Sequence, residues 1–149
     1  MEERRYYHYT FTTYNRKHIL GDKEVNNNIH KWFHEIAKEK QFDIISLNIL
    51  ADHVHILIEQ KLNDSPSYIM KCIKGASSHK LFKYYTNTNR YLYRKLWSRS
   101  YHCREITPNE IKEVINYIKN QTSSLGADKR YIAGVKKEPR RSASGSKSL

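Results

Sequence analysis

The spacing of apolar positions changes period several times along the chain, and each change predicts an element. The run from Tyr6 to Tyr14 (YYHYTFTTY) is aromatic and β-branched, which suits a pleated strand. Asp22 can cap a helix whose apolar positions Val25, Ile29, Trp32, Phe33 and Ile36 keep helical spacing. Phe42 to Leu50 reads as a second strand. Ala51-Asp52 is short enough to be a hairpin turn into the apolar, β-branched run Asp52-His53-Val54-His55-Ile56-Leu57-Ile58, a buried strand. Ser65-Pro66 opens a second helix, a cap followed by proline at the first helical position, running to about Tyr84. The polar stretch from Thr86 to Arg90 is turn-rich. It leads to Tyr91-Leu92-Tyr93 and Leu96-Trp97, expected to be extended.

Thr107-Pro108-Asn109-Glu110 is the sharpest boundary. Thr107 can cap, Pro108 fits the first helical position, and Glu110 can reach back to complete a capping box. The helix that follows carries an apolar stripe at Ile111, Val114, Ile115 and Ile118. At about 100° per residue Tyr117 falls off the centre of that stripe, with Gln121 beside it toward Val114. No internal repeat is visible. Residues 1–128 read as one domain, and residues 129–149 as a basic, Ser-rich tail too polar to pack and expected to be disordered.

Charge narrows the partners. There are 27 Lys and Arg against 15 Asp and Glu, a net charge of +12, together with 12 Tyr. Basic residues interleaved with aromatics suit a polyanion whose bases can stack, single strands better than duplex. No stretch approaches the roughly 20 apolar residues of a membrane span, and no signal peptide opens the chain. Cys72 and Cys103 have neither metal-site spacing nor disulfide-scaffold density, so a reducing, cytoplasmic setting is expected.

The candidate chemistry sits in two places. On a strand, the period-two pleat sends His53 and His55 to one face and Val54 to the other. Buried imidazoles need partners; a metal is one, and hydrogen bonding within the core is the other. On a helix, Tyr117 and Gln121 are four apart and share a face. Together these residues could supply a metal site and a phenolic nucleophile for breaking a phosphodiester bond covalently. His30 and His34, also four apart, lie on a helix flank, and Lys31 stands where a metalloprotease signature needs glutamate; both read as solvated.

The chain resembles the single-tyrosine HUH transposases of bacterial insertion sequences that move as single-stranded DNA. The resemblance rests on five segments in the family's order: Thr13-Tyr14-Asn15-Arg16, Asp52-His53-Val54-His55-Ile56-Leu57, Ile73-Lys74-Gly75-Ala76-Ser77-Ser78, Leu96-Trp97-Ser98-Arg99-Ser100-Tyr101, and Tyr117-Ile118-Lys119-Asn120-Gln121. They cover most of residues 6–121. Two positions depart from the pattern: Ala51 stands where the family usually has proline, and His102-Cys103-Arg104-Glu105-Ile106 lacks a glycine common there.

The resemblance implies an α+β fold, a ferredoxin-like antiparallel sheet flanked by helices, with a C-terminal helix carrying the tyrosine. It implies His53 and His55 as metal ligands, Gln121 as the third, and Tyr117 as nucleophile. Mg²⁺ or Mn²⁺ suits such a mixed nitrogen and oxygen donor set. It further implies a homodimer, DNA hairpins near the element ends as partners, and a 5′-phosphotyrosine intermediate. Arg16, Lys17, Lys71, Lys74 and Lys80 are candidates for phosphate contacts and Tyr101 for base stacking, while Trp97 suits the core. The alternatives are an inactive or domesticated nucleic-acid-binding relative, or another HUH nuclease such as a replication initiator or relaxase.

Overall fold

The computed structural model describes residues 3–85, 95–122 and 135–137. Strand β1 (Arg4–Thr12) is followed by two short 3₁₀ turns, helix α1 (Lys23–Lys40), and strands β2 (Asp43–Ile49) and β3 (His53–Lys61). Helix α2 (Pro66–Tyr84), strand β4 (Ser100–Ile106), helix α3 (Ile111–Lys119) and strand β5 (Val135–Lys137) complete the order. The strands form one antiparallel sheet in the order β2-β3-β1-β4-β5. Apart from the edge strand β5, this is the ferredoxin-like α+β arrangement that was expected.

The predicted caps form. The Asp22 carboxylate accepts from Val25 N at 3.1 Å, and Ser65 Oγ accepts from Tyr68 N at 3.1 Å. The Thr107–Glu110 capping box is complete, with Thr107 N donating to Glu110 Oε1 at 3.0 Å. Its residues Pro108–Glu110 are a 3₁₀ turn, so the α-helix proper begins at Ile111.

Both faces of the sheet are covered. On one, Tyr9 and Phe11 of β1 and Val54, Ile56 and Ile58 of β3 pack under α1 and α2 in the main core. Trp97 joins them, its ring edge-on to Phe11 at 4.9 Å and its Nε1 donating to Ser77 Oγ at 2.9 Å. On the other face Leu57 and Ile106 meet Val114 and Ile118 of α3 in a smaller cluster. Side chains alternate along β3, so the face under α3 is the one that carries His53 and His55.

An irregularity in β2 decides what stands beside them. Ile44 pairs with Ile58, but Ser46 already pairs with Leu57, leaving Ile45 as a bulge. The extra residue puts Leu47 and Ile49 against the main core and sets Asn48 opposite His55. Without it Leu47 would take that place, since a one-residue slip turns every later side chain to the other face.

Several expectations need correction. Strand β4 was not foreseen; its alternation of core residues Tyr101 and Cys103 with His102 and Arg104 is short and mixed. Helix α3 ends at Lys119, so Gln121 lies beyond it in the closing turn, with its N–H on Ile118 O at 3.3 Å, and is not a fourth-residue neighbour of Tyr117 on one helix face. Val135–Lys137, inside the segment expected to be disordered, pair with β4. Residues 86–94, including the expected extended segment Tyr91–Tyr93, lie outside the described residues, as does the rest of the tail. No described helix is long and apolar enough to cross a membrane.

Candidate active site

The β2–β3 turn is held on three sides. Leu50 N donates to His53 O at 2.8 Å, closing the hairpin, while Thr13 N and Leu20 N donate to Asp52 O and Ala51 O at 2.9 and 3.0 Å. This pins the start of β3, where His53 and His55 are almost wholly buried, 1% and 0% exposed, with ring centroids 5.2 Å apart.

Each histidine has a different partner. His53 Nδ1 lies 2.7 Å from Asp52 Oδ1, and Arg16 Nε donates to Asp52 Oδ2 at 2.9 Å. Burial pushes the Asp52 carboxyl up, but hydrogen bonds from His53 and Arg16, and their charge, outweigh it and hold the group below the ordinary carboxylate range. An ionised carboxylate only accepts, so the His53 proton belongs on Nδ1. Its Nε2 keeps a lone pair, and that nitrogen is buried with no hydrogen-bond partner among the described residues. The turn that brings Arg16 to Asp52 is strained: Asn15 and Arg16 both adopt left-handed φ, 56° and 54°, which non-glycine residues rarely do.

His55 is held by an imidazole and a hydroxyl. Its Nδ1 lies 3.2 Å from both His8 Nε2 and Thr10 Oγ1. Strand register extends this into a row across the sheet: Asn48 on β2, His55 on β3, Thr10 on β1 and His102 on β4 are successive neighbours. His102 is half-buried, and that burial lowers its pKa. The candidate histidines thus sit in a polar strip within an otherwise apolar face.

Tyr117 is brought onto this strip by α3. Its ring stands edge-on to His55, centroids 5.8 Å apart at 81°, and to His8, 5.9 Å apart at 69°, all in one chain. Its hydroxyl is buried. The helix end is tied to β2 by Asn48, whose Nδ2 donates to Ile118 O at 2.8 Å and Gln121 O at 2.9 Å. The Gln121 side chain folds back on the last turn, Nε2 donating to Tyr117 O at 3.3 Å.

The donor chemistry fits a divalent cation. Among the described residues no three His, Cys, Asp or Glu side chains are grouped to hold one. The site that the resemblance implies would combine the two imidazoles with the Gln121 amide. The buried, unengaged His53 Nε2, with a carboxylate behind its ring, is the arrangement typical of a metal-ligating histidine.

The proposed DNA contacts divide. Arg16 lies beside His53 in an open cleft of about 360 Å³ lined also by His18, Asp52 and Thr122, and Lys17 is exposed next to it. Lys71 is exposed on α2, and Lys80, 3.7 Å from Glu35, is half-buried on the same helix, across the sheet from Tyr117. Two expectations fail. Lys74 is buried, donating to Ser98 O and Ser100 O at 3.0 and 3.2 Å with Phe11 and Tyr101 beneath it, so it braces the approach to β4 and does not reach solvent. Tyr101 is 7% exposed and packs near Tyr9 in the main core, so it offers no face to a base. His30 and His34 are exposed, stacked edge-on to each other, as the sequence suggested.

The sequence reading missed His8, Thr10, Asn48 and a role for Asp52. A signal existed for three of them. His8 and Thr10 alternate with Tyr7, Tyr9 and Phe11, giving β1 a polar face, and Asn48 is a polar residue in an otherwise apolar strand end.

Comparison with known proteins places this geometry. The chain is 29% identical over 117 residues to the transposase for insertion sequence element IS200 of Salmonella typhimurium, covering 77% of this chain and 75% of that one. It is 26% identical over 116 residues to the ISDra2 transposase TnpA of Deinococcus radiodurans, covering 77% and 82%. In fold it is similar to a Deinococcus radiodurans crystal structure assigned provisionally as a transposase (TM-score 0.64, 22% identity, 83% of this chain and 95% of that one). It is also similar to a REP-associated tyrosine transposase bound to a REP hairpin (TM-score 0.58, 14% identity, 79% and 67%). The sequence profile of the IS200-like transposases matches residues 2–121, a span that takes in every described element from β1 to the turn that closes α3, and the chain belongs to that family.

Proposed function

We propose that this transposase cleaves and rejoins single-stranded DNA through a 5′-phosphotyrosine intermediate formed on Tyr117, with Mg²⁺ or Mn²⁺ held by His53, His55 and Gln121. One observation carries the proposal: the Tyr117 ring stands against His55, 5.8 Å centroid to centroid, beside the preset His53. A cation bound there would offset charge on the scissile phosphate and favour the phenolate.

The chain's own groups account for the rest. Asp52 and Arg16 hold His53, and His8 and Thr10 hold His55. The Tyr117 oxygen loses its proton and bonds to phosphorus while the P–O3′ bond breaks, and the departing 3′ oxygen takes up a proton. Because the phosphodiester energy is kept in the tyrosyl link, a 3′-hydroxyl reverses the step without a nucleotide cofactor. The net charge of +12 and the Arg16 cleft favour a nucleic-acid strand as substrate, and the hairpin held by the REP-associated relative favours folded single strands. A homodimer working in a bacterial or archaeal cytoplasm is the expected setting. The contact of Tyr117 with His55 within one chain supports attack by a tyrosine of the same chain.

The test is a cleavage assay with single-stranded DNA ends and Mg²⁺ or Mn²⁺. A denaturation-resistant protein–DNA adduct is expected, lost in Tyr117→Phe while DNA binding persists. Binding without any adduct on cognate ends would replace the enzyme with a nucleic-acid-binding module.

A further inference from the structure

We infer that His8 is a positioning residue that sets His55 in its ligating form; this rests on the proposed metal site. His8 is wholly buried on β1, and its Nε2 lies 3.2 Å from His55 Nδ1. Thr10 Oγ1 lies 3.2 Å from the same His55 nitrogen and 3.5 Å from His8 Nε2.

Two neutral imidazole nitrogens at this distance share one proton, and its position decides what the far side of His55 can do. Placed on His8 Nε2, the proton makes His55 Nδ1 an acceptor. His55 then carries its own proton on Nε2 and has no lone pair there to donate to a cation. Placed on His55 Nδ1, the proton is accepted by His8 Nε2 and Thr10 Oγ1. The Thr10 hydroxyl can then donate to His8 Nε2, and His55 Nε2 carries the lone pair that a cation needs. Only the second arrangement suits a metal.

The two ligands are therefore prepared unequally. His53 faces a carboxylate, which has no proton to give, so its form is set in advance. His55 faces an imidazole and a hydroxyl that each accept or donate, so its form depends on what positions 8 and 10 present to it, and at position 8 on an acceptor. Tyr117 and His53 meet His55 by edge-on ring packing.

The experiment measures Mn²⁺ affinity of the full chain by calorimetry for the wild type, His8→Gln, His8→Phe and His53→Ala. Glutamine places an acceptor near the original Nε2, whereas phenylalanine fills the space without one. We expect His8→Phe to weaken Mn²⁺ binding about 10- to 100-fold and His8→Gln to stay within about threefold of wild type. Equal affinity in His8→Phe and wild type would overturn the role of His8, and so would equal losses in His8→Phe and His8→Gln. Nitrogen-15 spectra of the Mg²⁺-saturated wild type, which needs no variant to fold, should show His55 protonated at Nδ1 and His8 unprotonated at Nε2; the reverse would also overturn it. If the wild type binds no Mn²⁺, or His53→Ala binds it unchanged, the metal site itself is wrong and the inference falls with it.

Discussion

The Asn48 amide donates to the carbonyl of Ile118 at 2.8 Å, and this contact ties the strand beside His55 to the helix that carries Tyr117. A second bond to Gln121 O, at 2.9 Å, makes Asn48 a cap for the end of α3 supplied from the sheet. Replacing it with leucine removes both donors and leaves carbonyls unsatisfied, a cost of about 1–3 kcal/mol. Because reaction depends on alignment, Asn48→Leu should slow adduct formation at saturating DNA by at least tenfold, with DNA affinity nearly unchanged. Single-turnover cleavage beside a binding titration checks this, and a rate equal to wild type would show that α3 is held by its apolar face alone.

Asp52→Asn should weaken Mn²⁺ binding by about 10- to 100-fold. The side-chain amide can donate to His53 Nδ1 and so push the ring proton onto Nε2, the nitrogen needed for the metal. It also loses the charge that holds Arg16. A calorimetric titration against wild type measures the effect; unchanged affinity would mean that the carboxylate does not prepare His53.

Two lysines should separate structure from DNA binding. Lys74→Met removes the donor to Ser98 O and Ser100 O and should destabilise the fold by about 1–3 kcal/mol, leaving the salt dependence of DNA affinity unchanged. Lys17→Ala, on the exposed turn beside the cleft, should leave stability within about 0.5 kcal/mol and reduce the log–log salt slope by about 0.7. Denaturation and salt titration of both variants decide the assignment. A reduced slope in Lys74→Met would restore that residue as a phosphate contact.

Acid should loosen α3 through Glu110. Hydrogen bonds from the Thr107 backbone, then from the Arg104 and Thr107 side chains, hold its carboxyl below the ordinary glutamate range. A carboxylate with a depressed folded-state pKa contributes stability that is present above its unfolded value, about 4.3, and is lost as pH falls through the folded value. Glu110→Gln should therefore be less stable than wild type near neutrality, with the difference shrinking below about pH 4. Thermal midpoints of both proteins across pH 3–7 test this, and a constant difference over that range would exclude the linkage.

How far the site was legible depends on the range of the interactions involved. The side-by-side histidines followed from the two-residue period of a strand, and the start of the tyrosine helix from a capping box four residues long; both are local and appear in the order of residues. The end of that helix was less legible, because Asn48 and the closing turn stop it before Gln121. Lys74 read as a surface cation because spacing on a helix does not show that Ser98 and Ser100 carbonyls lie above it.

By itself, the sequence determined the types of the first three strands and of the three helices, the strand face shared by His53 and His55, the family resemblance and the basic charge that suits a nucleic-acid partner. Only the tertiary structure decided that Asn48 stands opposite His55, that His8 and Thr10 reach its Nδ1, and that Tyr117 lands on the same strip. The reason is physical. Strand periodicity is a property of neighbouring residues, whereas register between strands depends on long-range packing, and one bulge at Ile45 changes which side chains share a face.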